Sequence, residues 1–130
     1  MRPSTEPPAT GAQLSRAALA LRAAHAAVSL AFLSAIAYVW WCGLARRRTR
    51  LLRVAVVALS CEGAAVAANG GDCPLGGLQA RAGDPVPLFE LVLSPRAAER
   101  AVPALGAVTA AGVALLAVRP PEAPVRTLSP

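Results

Sequence analysis

From Ala23 to Ala45 the chain reads AAHAAVSLAFLSAIAYVWWCGLA, an apolar run whose one side chain titrating near neutrality is His25. As a helix rising about 1.5 Å per residue, it outreaches the roughly 30 Å hydrocarbon core of a bilayer. A segment that can neither hydrate its surface nor pack wholly inside a small domain must be a membrane span. The run is too long for a cleaved secretory signal and carries Trp40-Trp41 near its end. Tyr38, Trp40 and Trp41 suit an interfacial aromatic belt, with Arg46, Arg47 and Arg48 directly beyond.

A second run, Leu51 to Ala68, has Arg53 at its start and Glu62 inside. It is long enough to span once Arg53 reaches back to the interface. Asn69-Gly70-Gly71-Asp72 closes it, since Asn and Gly accept the left-handed conformation that ends a helix. Ser94-Pro95 then reads as an N-cap with proline at the first helical position. The helix it opens holds Arg96, Glu99 and Arg100 in its first turns, is apolar from Ala101 to Val118, and is bent by Pro103. Arg119-Pro120-Pro121 ends it.

These runs predict an all-α fold: a small transmembrane helical bundle with spans at about 23–45, 51–68 and 101–118. The connector 69–100 carries Pro74, Pro85 and Pro87, which block one long helix. Within it, Pro87 to Leu93 is too short to span and is expected to lie at the interface as a short helix or loop element. Thr10-Gly-Ala-Gln13 has capping-box spacing, so the first helix is expected to begin near Gly11. A single domain over 11–119 is thus flanked by proline-rich tails, 1–10 and 120–130, expected to be disordered.

Composition agrees. The 130 residues are 55% hydrophobic and only 15% charged, against about a quarter charged in soluble domains. A soluble enzyme and a disordered chain are both poor fits. All basic residues are arginine and alanine dominates the apolar class, a bias we read as that of a GC-rich bacterial genome. The net charge of +6 would raise nucleic acid as a partner. However, the basic residues concentrate at Arg46, Arg47, Arg48, Arg50 and Arg53, in a short loop between spans, and few aromatics exist to stack on bases. The partner expected is the lipid bilayer, not nucleic acid. The positive-inside rule places that loop in the cytoplasm, with the N-terminus and the 69–100 connector outside and the C-terminus inside the cell inner membrane.

Glu62 is the most informative single residue, because an ionisable group within a span is costly and faces a bundle interior or a water path. The favoured reading is a carboxyl gluing helices together, bonded to Ser60, Ser34 or a neighbouring backbone carbonyl. A proton or substrate role is the alternative. His25 lacks a second histidine and is expected to be a satisfied interfacial residue, not a haem ligand or relay. No cofactor or metal is implied. Cys42, Cys61 and Cys73 form no CxxC pair, and Cys73, alone in a polar loop, is the one to watch. Small residues recur every four positions at Ser60, Ala64 and Ala68, and at Gly106, Ala110 and Ala114, a pattern that lets helices approach within the chain or between copies.

The stretch Asp72-Cys73-Pro74-Leu75, followed by Leu78, Gln79, Arg81, Gly83 and Phe89-Glu90, resembles a family of small bacterial multi-pass membrane proteins, one of the domain-of-unknown-function families. In that family a hydrophobic helix ends in Cys-Pro-Leu, followed by a Leu-Glu pair, a basic residue, a glycine and a Phe-containing segment before a last span. The likeness covers roughly Val28 to Leu116 by architecture, with specific residues confined to Cys73 through Glu90. Here Gly76 stands where the family has Thr, and Gln79 where it has Glu. The resemblance implies a multi-pass helical membrane protein and brings no activity with it. The simple reading of the motif has Cys73 packing as a small apolar residue, Pro74 stiffening the turn, and Leu75 and Leu78 re-entering the interface.

Three function classes follow. An accessory, structural or interaction protein, as a homo-oligomer or on a larger membrane partner, needs nothing beyond these features. A small oligomeric transporter or proton-coupled carrier would use Glu62, with His25 and the connector as a vestibule. A thiol enzyme using Cys73 is the least supported, since no catalytic constellation is visible in the spacing, and the chain is expected not to be an enzyme.

Overall fold

The computed structural model describes residues 14–122. Among them the chain is helical, with no strand: α1 (Arg16–Leu44), α2 (Arg50–Ala68), α3 (Pro74–Arg81), a 3₁₀ turn over Leu88–Leu91, and α4 (Pro95–Val118). Three of these, α1, α2 and α4, are long and apolar enough to cross a membrane. The tail 1–10, residues 123–130 of the tail 120–130, and the Thr10–Gln13 capping box lie outside the described residues.

The first helix begins later than expected. Ser15, with an extended backbone, accepts a hydrogen bond from the Ala18 amide at 3.1 Å and opens α1 at Arg16. Thr49 does the same for α2, its hydroxyl accepting from the Leu52 amide at 3.0 Å and also meeting the Tyr38 hydroxyl at 2.9 Å. Ser94 has the extended N-cap backbone ahead of Pro95, but its hydroxyl bonds no helix amide.

Three helix ends close in the same way. After α1, Arg46 takes the left-handed conformation (φ 50°) and the Arg47 amide returns to the Cys42 carbonyl at 2.9 Å. After α2, Gly70 (φ 74°) lets the Gly71 amide reach the Val66 carbonyl at 2.9 Å. After α3, Gly83 (φ 90°) lets the Asp84 amide reach the Gln79 carbonyl at 3.1 Å. These are Schellman closures, in which one left-handed residue satisfies orphan carbonyls and reverses the chain. The last of them is what turns Asp84 back over α3.

Helix α1 is the one on which α2 and α4 both pack, while α2 and α4 touch each other little. Partners along the helices show that α4 runs parallel to α1: Trp40 faces Val108 and Gly112, and Gly43 faces Leu115 and Leu116. The core sits between α1 and α2, with Val39, Cys42, Leu52, Ala55 and Leu59 buried and Phe32, Ile36, Val113 and Leu116 around them. The close approach of α1 to α4 depends on two glycines. A Cβ on Gly43 would lie 2.9 Å from the Leu115 Cδ2, and one on Gly112 would lie 2.9 Å from the Trp40 Nε1. There the Trp40 indole donates to the Val108 carbonyl at 3.1 Å.

Outside this core the apolar side chains point away from the bundle; Leu30, Val54 and Val57 are each more than 60% exposed. So large an apolar surface is costly in water and suits hydrocarbon. The two ends differ in charge. The α1–α2 turn carries the arginine cluster, and Arg48 crosses to the end of α4, donating to the Leu116 carbonyl and, at 2.8 Å, to the Arg119 carbonyl. The opposite end holds α3, the 3₁₀ turn and most of the acidic residues.

Candidate functional site

The Schellman closure at Gly83 sets Asp84 beside Gln79, and both are 1% exposed at the end of the bundle where α3 lies on α1. Gln79 Nε2 is 2.9 Å from Asp84 Oδ2 and 3.0 Å from the Val86 carbonyl oxygen. Both are pure acceptors, so both amide hydrogens are committed to them. The side-chain oxygen therefore faces the other way, 2.9 Å from His25 Nδ1 on α1. That oxygen can only accept, so Nδ1 carries the hydrogen. In the neutral ring Nε2 is then the acceptor.

His25 Nε2 points at the Cys73 sulfur, 3.7 Å away. Cys73 sits at the N-cap of α3, with Pro74 as the first helical residue, and its side chain caps no amide. Its sulfur also lies 3.7 Å from Glu62 Oε1 on α2. At the other end of the relay, the Arg22 guanidinium grips Asp84 through two bonds, Nε to Oδ2 at 2.5 Å and Nη2 to Oδ1. The hydrogen bonds from Arg22 hold the Asp84 carboxyl below the usual carboxylate range, against the opposing effect of burial, with Val86 and Gln79 adding to the lowering. The result is a continuous chain of contacts, Arg22–Asp84–Gln79–His25–Cys73–Glu62, joining α1, α2, α3 and the loop after α3.

This chain borders a cavity of about 450 Å³. His25, Cys73 and Gln79 form part of its wall, and Val86, Leu88 and Phe89 supply apolar surface. The charged residues lining it, Asp72, Asp84, Glu90 and Glu99, are all acidic, in a chain of net charge +6. Among the described residues no three His, Cys, Asp or Glu side chains converge closely enough to hold a metal ion.

Of the residues singled out in the sequence, the fold brings His25, Glu62 and Cys73 together. Cys73 is half-buried and faces two polar groups instead of packing as a small apolar residue. The hydroxyls expected to hold Glu62 are turned to their own helix, Ser60 to the Val56 carbonyl and Ser34 to the Leu30 carbonyl. Pro74 starts α3, and Leu75 is half-buried outside the cavity wall. Arg46, Arg47, Arg48, Arg50 and Arg53 lie at the far end, where Arg48 also ties down α4. Sequence reasoning missed Arg22 and Asp84, and treated Gln79 only as a departure from a motif. A signal for Asp84 was available: Gly83-Asp84 after an α3-like segment is a helix-closing pair, and such a pair folds the next side chain over the helix. Comparison with family models, with curated proteins and with solved structures found no match to this chain.

Proposed function

We propose that this chain is an integral membrane protein of the cell inner membrane that acts by association, as an accessory, structural or interaction subunit. What supports the reading is where the small residues point. Ser60, Ala64 and Ala68 on α2, and Gly106, Ala110 and Ala114 on α4, all lie on exposed faces. A Cβ on Gly63 or Gly106 would meet nothing within 4 Å, whereas the internal contact of α1 with α4 uses Gly43 and Gly112. In lipid, small faces let backbones approach and gain van der Waals contact. Two such faces unused within the chain suit contact with a second copy or a larger membrane partner. On this reading the arginine-rich end is cytoplasmic and the acidic end, with its cavity, faces outward.

A carrier reading through Glu62 comes second, because a path along the bundle from Glu62 to the arginine-rich end would cross the apolar core from Phe32 to Leu59. The test is the size of the full chain in a mild detergent across a range of concentrations, together with what co-purifies. We expect a defined oligomer or a reproducible partner, and its loss in Gly106→Leu/Ala110→Leu. A lone monomer at every concentration, with no partner, would sink the proposal.

A further inference from the structure

We propose that Cys73 is a covalent acylation site, its thiol attacking the carbonyl carbon of an acyl ester while His25 takes the thiol proton. The inference is independent of how the bundle associates. It rests on the order of the groups and on what each has left to do.

A nucleophile of this kind needs a base within reach and a third group that fixes the tautomer and direction of the base. Here the base is His25, with Nε2 3.7 Å from the Cys73 sulfur, a separation typical of a pair that tightens only with substrate present. The orienting group is Gln79, whose oxygen accepts from Nδ1 and leaves Nε2 as the free acceptor. Gln79 cannot turn, because both its amide hydrogens are held by Asp84 and Val86, and Asp84 is gripped by Arg22. A histidine serving only to fill space would satisfy both ring nitrogens strongly. In this site the nitrogen facing the cavity has only a thiol, a weak hydrogen-bond donor whose single hydrogen is also within 3.7 Å reach of Glu62 Oε1.

The surroundings specify the electrophile. The cavity, at about 450 Å³, falls in the range of small-molecule sites, and Val86, Leu88, Phe89 and Val102 give it an apolar wall that fits an acyl chain. Gly76 and Gly77, in the first turns of α3 beside Cys73, also line it, and a Cβ on either would meet nothing within 4 Å. The space beside them is therefore open to a reacting group, while the Gly76 amide is already held by the Cys73 carbonyl at 3.0 Å. With Asp84 neutralised by Arg22, the acidic lining of Asp72, Glu90 and Glu99 disfavours a polyanionic donor and favours an ester with a neutral or amine-bearing alcohol. Such esters are abundant at a bilayer surface, where the connector meets the spans.

The step balances without redox chemistry. As sulfur bonds to the carbonyl carbon, its proton passes to His25 Nε2. The tetrahedral adduct then collapses, the carbon–oxygen bond to the alcohol breaks, and the proton on Nε2 goes to the departing oxygen. Thiol and ester become thioester and alcohol. Gln79 acts as a positioning residue, since it touches only the base.

The test uses the full chain in phosphatidylcholine nanodiscs, with p-nitrophenyl butyrate as the neutral ester and butyryl-coenzyme A as the polyanionic thioester. Each rate is normalised to that of free cysteine, and the adducts are mapped by mass spectrometry. We expect Cys73 to be butyrylated at least ~10-fold faster in the native protein than in the same protein unfolded in SDS, with a preference for the neutral ester. General-base assistance of this kind is worth about 10²-fold or more, so His25→Gln should slow Cys73 by about that factor and leave Cys61 unaffected. Gln79→Met should slow Cys73 less, and added imidazole should restore part of the rate in His25→Gln. Preference for the polyanionic thioester would support acylation while moving its source from the bilayer to a soluble acyl donor. A native Cys73 no faster than the unfolded one overturns the proposal without any variant, and so does a folded His25→Gln that reacts at the wild-type rate.

Discussion

His25 Nδ1 and Gln79 Oε1 meet at 2.9 Å across 54 residues of chain, and Gln79 is held in turn by Asp84 and the Val86 carbonyl. One amide thus joins the first span to the connector. Replacing Gln79 with methionine keeps the volume but leaves the His25 N–H unpaired, at a cost of about 1–3 kcal/mol for a buried donor. Thermal melting in detergent should show the loss, and a melt equal to wild type would mean that the amide is not what docks α3.

The contact between α1 and α4 predicts opposite outcomes for two glycines on one helix. Gly112→Ala places a methyl about 3 Å from the Trp40 indole and should destabilise by roughly 1–3 kcal/mol, as overpacking does. Gly106→Ala meets open space within the chain, so the packing of α1 on α4 should be unchanged, or stabilised by up to about 1 kcal/mol through helix propensity, with any effect confined to association. Paired melting curves check the contrast.

Arg48 should matter to stability where Arg47 does not. Its guanidinium donates to the Leu116 and Arg119 carbonyls, orphan acceptors at the end of α4, so Arg48→Ala should cost about 1 kcal/mol and let the last turn fray. Hydrogen exchange of the amides from 114 to 119 would report it, with Arg47→Ala as the unchanged control.

Acid should loosen the α3 end of the bundle by way of Asp84. Its carboxyl is held low in the folded protein, chiefly by the hydrogen bonds from Arg22. Its stabilising contribution is therefore complete above the unfolded carboxylate value of about 3.9, and is lost as pH falls below that through the lowered folded value. The share of stability that Asp84→Asn removes should be constant from neutral pH downward and then fall below about pH 4. Asp84→Asn should start less stable and lack that portion of the acid slope.

How much of this was legible depended on whether the signal was local. Helices α2 and α4 run over Arg50–Ala68 and Pro95–Val118, matching runs whose ends are marked by Gly70 and by Ser94-Pro95. The start of α1 was misjudged because Ser15 provides a cap nearer the span. Helix α3 was missed because eight residues containing Gly76 and Gly77 have poor helix propensity; Pro74 at its start, the closure at Gly83 and packing on α1 make up the difference. Glu62, His25 and Cys73 stood out because polar groups in or beside an apolar run are rare and expensive. Arg22 did not, because its partner Asp84 lies 62 residues away and nothing local links the two.

The sequence by itself determined that the backbone must satisfy its polar groups in helices and that three runs are long enough to span, because hydropathy and helical rise are properties of consecutive residues. It also determined that positive charge concentrates between the first two spans. Only the tertiary structure decided which polar groups meet. It put Gly43 and Gly112 at the helix contact while the regular small-residue stripes face out, and it brought an imidazole from α1 together with a thiol at the start of α3 and an amide within it. The reason is geometric: a hydrogen bond depends on ångström separations set by how helices dock, and residue spacing along one helix carries no record of them.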